Sequence, residues 1–296
     1  MRSDPIETVL EAVLNAYQVR VEIVTNVRYC GDWYDQEPET RRGQFHLIGE
    51  GRCQVSGAML REPIDLDTGD FIVFPKGTAH TLAACPDPAA PSAPNQQFTS
   101  MLCGELEFVS GTRNPIFTAL PSYLVVRAAA GGDRFRQLAT ILTAVSSAGE
   151  TGHQVVEDKL ADCLFTMAVC DYARHAQNPT GIFAALADTR IAKALSAIHS
   201  RPGIDWTIQS LADVAAMSRT AFARIFAELL GKPPIEYLSE WRVSEAKRLL
   251  RDRTLSVGAV AEKLGYQSEA AFRRMFKRIE GIGPGKVRAS HRNVAP

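Results

Sequence analysis

The sequence is first narrowed by what it lacks. Its six cysteines, at 30, 53, 85, 103, 163 and 170, show no paired spacing. That excludes a disulfide framework, and reduced thiols in a cytoplasm are expected. No apolar run approaches the roughly 20 residues that a membrane-spanning helix needs. Met1-Arg2-Ser3-Asp4-Pro5 does not open a signal peptide. A cytoplasmic protein with no membrane contact is therefore expected. Net charge is absent too, with 33 Lys and Arg against 33 Asp and Glu. That neutrality hides two unlike parts. Residues 188–296 hold 19 basic against 11 acidic side chains, a net of +8, and residues 1–187 hold 14 against 22, a net of −8. Only the C-terminal part should seek a polyanion. A length of 296 residues leaves room for two domains, each with its own core.

The clearest pattern is a repeat between Trp206 and Arg288. Ile208, Leu211, Ala212 and Ala215 form the apolar stripe of a short helix. A break at Ala216-Met217 leads to Ser218, a helix N-cap. Phe222, Ile225, Phe226 and Leu229 then repeat the stripe, and Gly231 ends the helix. In the second copy Val257, Val260, Ala261 and Leu264 stand 49 positions on, followed by Gly265-Tyr266 and the cap Ser268. Phe272, Met275, Phe276 and Ile279 stand 50 positions after their counterparts, so the second turn is one residue longer. Two helices joined by a tight turn, the second Ser-capped and rich in Arg, make a helix-turn-helix. One copy would be a weak signal; two with matching caps, aromatics and arginines (Arg224 and Arg274) predict DNA binding. The four phenylalanines fall at core spacing and are not base-stacking residues.

The stretches LADVAAMSRTAFARIFAELLGKPPIEYLSEWRVSEAKRLL and VGAVAEKLGYQSEAAFRRMFKRIEGIGPGKVR resemble the DNA-binding domain of AraC/XylS-type bacterial transcription regulators. The resemblance covers roughly the last 105 residues. It implies that Thr220, Ala223, Arg224, Glu269, Ala270 and Arg273 are base-facing. Arg219 and Arg274 are the other exposed candidates after each cap. Arg can fork to guanine, Glu can accept from cytosine and Ala can touch a thymine methyl. Arg242, Lys277, Arg278 and Arg288 are the candidate phosphate contacts. Pro233-Pro234 opens a connecting helix with Ile235, Leu238, Trp241, Ala246, Leu249 and Leu250 on its apolar side. One chain would then read two major-groove segments about one helical turn apart.

The N-terminal part has a different texture. Ile6, Val9, Leu10, Val13 and Leu14 predict an amphipathic helix. From Val19 to about Val109, short strands recur at Val21–Val27, Phe45–Ile48, Cys53–Val55, Ile64–Leu66, Phe71–Phe74 and Met101–Cys103, as in a sandwich or small barrel. Gly69-Asp-Phe-Ile-Val-Phe-Pro75-Lys-Gly77-Thr-Ala-His80 resembles the second cupin motif, whose His faces the barrel interior as a metal ligand. The first cupin motif is half present. His46, Glu50 and Gly57 fit, but Gln44 stands where the first His belongs, and Ala84 replaces the Asn expected after His80. These departures favour a sensor over a three-His-one-carboxylate enzyme. The alternative kept open is a metal-dependent cupin enzyme with an appended DNA-binding domain. His46, His80, Cys85 and Cys103 are the candidate metal ligands, for zinc, and a hydrogen-bonded core His80 beside a small buried Cys103 is the competing reading.

Residues 85–97 read as an exposed loop. Two helical stripes follow: Phe135, Leu138, Ile141, Leu142 and Val145, then Val156, Leu160, Cys163, Leu164, Met167 and Cys170. Asn178 to Asp188 reads as a linker, and His153, His175, His199 and His291 read as surface. The expected fold is α+β with two domains: a cupin-like β-barrel (1–125), a helical hairpin and linker (126–187), and an all-α domain (188–296) with two helix-turn-helix motifs joined by a linker helix. The expected protein is a transcription regulator and not an enzyme. It would be a homodimer, read as an activator with repression left open, that binds double-stranded promoter DNA and RNA polymerase and is tuned by a small-molecule, metal or redox effector.

Overall fold

A computed structural model describes residues 5–17, 19–85, 98–108, 114–148, 152–252 and 254–290. The loop reading for residues 86–97 and the surface reading for His291 lie outside these. The chain forms two compact units, one of residues 18–177 and one of Met1–Tyr17 with Asn178–Pro296. No helix among the described residues is long and apolar enough to cross a membrane.

The first unit is built on two antiparallel sheets. Strands β1 (Val19–Cys30), β3 (Gly43–Glu50), β6 (Phe71–Phe74), β8 (Phe98–Phe108) and β9 (Leu124–Val126) form one sheet, in the order β1-β8-β3-β6-β9. Strands β2 (Tyr34–Glu37), β4 (Arg52–Ser56), β5 (Ile64–Asp67) and β7 (His80–Ala84) form the other, in the order β2-β7-β4-β5. Ile48, Ile72, Phe74 and Met101 from the first sheet meet Cys53, Val55, Leu66 and Leu82 from the second in one apolar cluster. Such alternating, half-buried strands stabilise a sheet only by covering one face, and here the two sheets cover each other. Asp70 anchors the turn before β6. Its carboxylate accepts from the Asp67 and Ala128 amides and from the Arg127 guanidinium at 2.7–3.0 Å.

Helices α2 (Pro115–Ala119), α3 (Gly132–Ala148) and α4 (His153–His175) complete this unit. The buried residues of α3 are Phe135, Ala139 and Leu142, and Ile141 is half exposed. On α4 the expected stripe is rotated by one residue: Glu157, Ala161, Leu164, Phe165, Ala168 and Val169 are buried, while Val156 and Cys163 are exposed. A bulge in β1 chooses that face. Where the register slips between Ile23 and Thr25, the Ile23 amide donates to the Asp158 carboxylate at 3.0 Å. The Gln154 side chain donates to the Ile23 carbonyl at 3.0 Å. Glu157 is buried against the hydroxyl of Ser146. Backbone groups freed by a bulge need partners, and α4 supplies them.

The second unit is helical: α1 (Pro5–Ala16), α5 (Gly181–Ala187), α6 (Thr189–Ser200), α7 (Ile208–Val214), α8 (Arg219–Leu230), α9 (Pro234–Leu249), α10 (Val257–Lys263), α11 (Glu269–Glu280) and α12 (Pro284–Ser290). The supposed linker holds a helix, α5, because Ile182, Phe183, Ala185 and Leu186 are all buried. Asp188 then caps α6, accepting from the amides of Arg190 and Ile191. Helix α1 also belongs here, and the Ser244 hydroxyl donates to its last carbonyl, that of Ala16.

His199 is not a surface residue. It is 7% exposed, stacks on Trp241 at 3.8 Å, and its Nε2 lies 2.8 Å from the Tyr237 hydroxyl. Burial pushes its pKa down to about 3, so the folded protein holds it neutral while the unfolded chain protonates it near the usual 6.5. Stability is therefore full above that pH and declines as pH falls toward 3. At pH 5 the loss from this one group should be about 2 kcal/mol. His199→Phe, which keeps a ring against Trp241, should flatten the fall in melting temperature between pH 7.5 and 5. Parallel curves for the two proteins would refute it.

Candidate DNA interface and barrel site

The two helix pairs superpose in sequence register down to single hydrogen bonds. In the α7–α8 turn the Met217 amide donates to the Ala212 carbonyl at 2.9 Å, and in the α10–α11 turn Tyr266 donates to Ala261 at 3.0 Å. The turn needs a left-handed residue at one position: Ala216 at φ 53° in the first copy and Gly265 at φ 77° in the second. Ser218 accepts from the Ala221 amide and Ser268 from the Ala271 amide, so both recognition helices are capped as their sequences predict. Phe222, Phe226, Phe272 and Phe276 are wholly buried.

Burying those faces turns the opposite ones outward. Arg219, Thr220 and Arg224 on α8 are exposed, Ala223 is half-buried, and Glu269, Ala270, Arg273, Arg274, Lys277 and Arg278 on α11 are exposed. Two ion pairs lie on these faces, Arg224 to Glu228 at 2.7 Å and Arg273 to Glu269 at 2.6 Å. Such exposed pairs are worth little and open readily to a better partner.

Arg242 and Arg288, read from the sequence as phosphate contacts, both turn donors inward. Arg242 spends its Nε and Nη2 on the carbonyls of Pro202 and Ile204 at 2.7 and 2.8 Å. Arg288 donates to the Leu255 carbonyl at 2.7 Å. Both are half-buried, Arg242 with two donors and Arg288 with one committed inside the unit, which their sequence context does not reveal.

In the sheet-built unit, His46, His80 and Cys103 come together. His80 Nδ1 lies 2.8 Å from the Thr78 carbonyl, His46 Nε2 lies 2.8 Å from His80 Nε2, and His46 Nδ1 lies 3.1 Å from Cys103 Sγ. A carbonyl only accepts, so His80 Nδ1 carries its proton and a neutral His80 accepts at Nε2. His46 then donates from Nε2 and accepts at Nδ1, where the Cys103 thiol donates. This directed line needs every member neutral, and burial makes it so. It lowers His46 to about 3, helped by the neighbouring His80, and lowers His80 as well. Burial raises Cys103 to about 12, and Cys53 behaves alike.

Cys85 does not join them. It lies five residues beyond His80, just past the end of β7, about 16 Å at strand rise, and burial and the Asp65 charge dominate its raised pKa. The other three stand in a line, with the two nitrogens of His46 turned to different partners. Among the described residues, no group of three or more His, Cys, Asp or Glu side chains is arranged to hold a metal. Residues the sequence reading passed over also face this site. Gln44, read only as a missing His, is buried and donates to Glu37 at 3.0 Å, while its Oε1 finds no partner among the described residues. Burial, then the charge of Asp35, raises the Glu37 pKa. Nothing in the spacing of β2 announces this pair, since it forms between sheets.

A two-sheet unit followed by a double helix-turn-helix unit defines a two-domain DNA-binding regulator. Residues 8–174 match a family model described as Cupin, and residues 211–290 match one described as Helix-turn-helix domain. An uncharacterized HTH-type transcriptional regulator of Haemophilus influenzae is 30% identical, over 95% of this chain and 98% of that protein. A putative AraC-like transcription regulator of Streptomyces lividans is 28% identical, over 94% and 97% respectively. The RCS-specific HTH-type transcriptional activator RclR of Escherichia coli is 28% identical, over 86% of each chain. The chain belongs to the AraC-type transcription regulators with an N-terminal cupin domain, and double-stranded DNA is its partner.

The linear thiol–imidazole arrangement predicts that protein purified without added metal holds far less than one equivalent of zinc. Stoichiometric zinc by elemental analysis, lost in His80→Ala and in Cys103→Ala, would overturn that.

Proposed function

We propose that this regulator activates transcription from promoters it reads with both recognition helices, and that oxidation of Cys103 is its signal. Thr220, Ala223 and Arg224 on α8, with Glu269, Ala270 and Arg273 on α11, face the bases. Arg219, Arg274, Lys277 and Arg278 flank them toward phosphates. Helix α9 links the two motifs. The outward placement of these side chains, opposite the buried phenylalanines, supports this reading. Exposed Ile141 on α3 and Val155 and Val156 on α4 support a homodimer formed through the α3–α4 hairpin, positioned to recruit RNA polymerase. "Activator" is also what the Escherichia coli relative is called.

The sensing half of the proposal rests on one observation, the Cys103–His46–His80 line. A thiol with its pKa raised to about 12 is almost entirely protonated at neutral pH, so peroxide, which needs thiolate, reacts poorly. A hypohalous acid is small, neutral and electrophilic enough to attack the thiol itself. With hypochlorous acid an S–Cl bond forms as Cl–O breaks, and the leaving hydroxide takes the thiol proton as water. Water then displaces chloride to give the sulfenic acid. Sulfur loses two electrons and chlorine gains them. His46 Nδ1 loses its S–H donor, and the hydrogen-bond line has to reorganise. Cys103 sits opposite Thr25 of β1 and His46 of β3, so the change falls on the middle of the sheet. A signal of this kind acts by favouring one arrangement of the chain over another.

Two experiments test the halves separately. Arg273→Ala should relax selection at one base pair and cost about 1–3 kcal/mol there, whereas Lys277→Ala should weaken all sequences alike and lower the salt slope by about one. Identical effects of the two would sink the base-facing assignment. For sensing, DNA affinity is followed while hypochlorous acid or hydrogen peroxide is added. Hypochlorous acid should change it with one oxygen gained at Cys103, peroxide should not, and Cys103→Ser should be silent. A full response in Cys103→Ser would move the signal elsewhere, for example to exposed Cys30 or Cys163.

A further inference from the structure

Arg242 and two glycines belong to neither site above, yet they meet at one point of the DNA-binding unit. The guanidinium leaves α9 and holds the carbonyls of Pro202 and Ile204 at 2.7 and 2.8 Å, in the turn that leads from α6 into the first helix-turn-helix. The same group lies 5.4 Å over the ring of Tyr266, in the turn of the second. The backbones close in as well. A Cβ on Gly203 would stand 2.5 Å from the Lys263 carbonyl oxygen, and a Cβ on Gly265 would stand 2.2 Å from that of Gly203. Neither distance is open to a real side chain.

The repeat isolates the cause. Ala216 occupies in the first motif the turn position that Gly265 occupies in the second, and it is left-handed there with its Cβ in place. The turn itself therefore admits alanine. What excludes a Cβ at 265 is the approach of Gly203, a contact that the first motif has no need to make.

We propose that Arg242, Gly203 and Gly265 form a clamp that locks the first helix-turn-helix to the second, and so sets the spacing between the two DNA segments that one chain reads. Helix α9 joins the motifs through a turn at each end, and each turn is a place where they could swivel. The clamp is a second connection that bypasses both turns. A rigid pair can match only one separation along the duplex, close to one helical turn or about 34 Å. Arg242 is a positioning residue: it touches no DNA, and its donors are spent on carbonyls.

The test uses the full-length protein and duplexes it selects from a random pool. Binding is compared on the selected site, on the same site with one base pair inserted between its halves, and on each half alone. Wild type should lose about tenfold or more on the insertion. Arg242→Met keeps the aliphatic stem without the donors, and Gly203→Ala wedges the turns apart with no φ penalty of its own. Each variant should bind the selected site about tenfold more weakly and show an insertion penalty of only about twofold. Half-site affinity and the salt slope should not move. Arg242→Lys, whose point charge cannot hold both carbonyls and the ring at once, should fall between. Circular dichroism on all three establishes that they fold, and Arg242→Met carries the test if Gly203→Ala does not. Uniform weakening with a salt slope lowered by about one would make Arg242 a phosphate contact after all. An undiminished insertion penalty in Arg242→Met would show that α9 alone sets the spacing, and a wild type indifferent to the insertion would show that none is set. Any of these overturns the clamp, and the first two leave bipartite DNA reading intact.

Discussion

A helix that must bury two phenylalanines at i and i+4 has only one face left to offer. That constraint governs the DNA-binding unit twice over. Phe222 with Phe226, and Phe272 with Phe276, are wholly enclosed and lie 5.5 and 5.6 Å apart ring to ring. Each pair is a large apolar payload that cannot rotate outward without emptying its core. The serine caps fix where each helix starts, and the buried rings fix its rotation. Together they decide which side chains stand where a major groove can receive them. The arginines of these faces then need no further support, and they pair loosely with Glu228 and Glu269.

The sheet-built unit follows a different physical logic. Its interior holds groups able to take a charge near neutral pH, and burial holds them neutral over a wider range. The imidazoles of His46 and His80 and the thiol of Cys103 form a chain of donors and acceptors that ends on a backbone carbonyl. Such a chain is satisfied only in one set of tautomers. Loss of the proton donor at the thiol end leaves the His46 Nδ1 acceptor without its partner. An apolar core would have no such sensitivity, which is why polar groups buried in line are the part of this unit suited to reporting a chemical event.

Much of this was legible in the sequence, and the legible parts share a reason. Apolar period, caps and turn glycines act over a few residues, so the two helix-turn-helix motifs, their one-residue difference in turn length and the buried phenylalanines could be read from spacing. The strands between Val19 and Val109 were readable for the same reason. Helix α4 was not, because it carries apolar residues on more than one side. Its buried face follows from Asp158 and Gln154 meeting the bulge in β1. The short α5 was hidden because its flanks, Asn178-Pro-Thr and Asp188, look like a linker while its interior is apolar.

Sequence alone determined the two-part architecture, the charge division between the parts and the outward face of each recognition helix, since all three rest on local chemistry. Tertiary structure decided the rest. His199 became a core residue because Trp241 and Tyr237, about 40 positions away, enclose it. Cys85 fell out of the His46–His80–Cys103 cluster because strand geometry carried it past the site. Arg242 turned from an apparent DNA contact into a brace because carbonyls 38 and 40 residues distant take its donors. A charged or polar side chain declares in the sequence only what it could bond. Which partner lies within 3 Å is settled when remote segments pack.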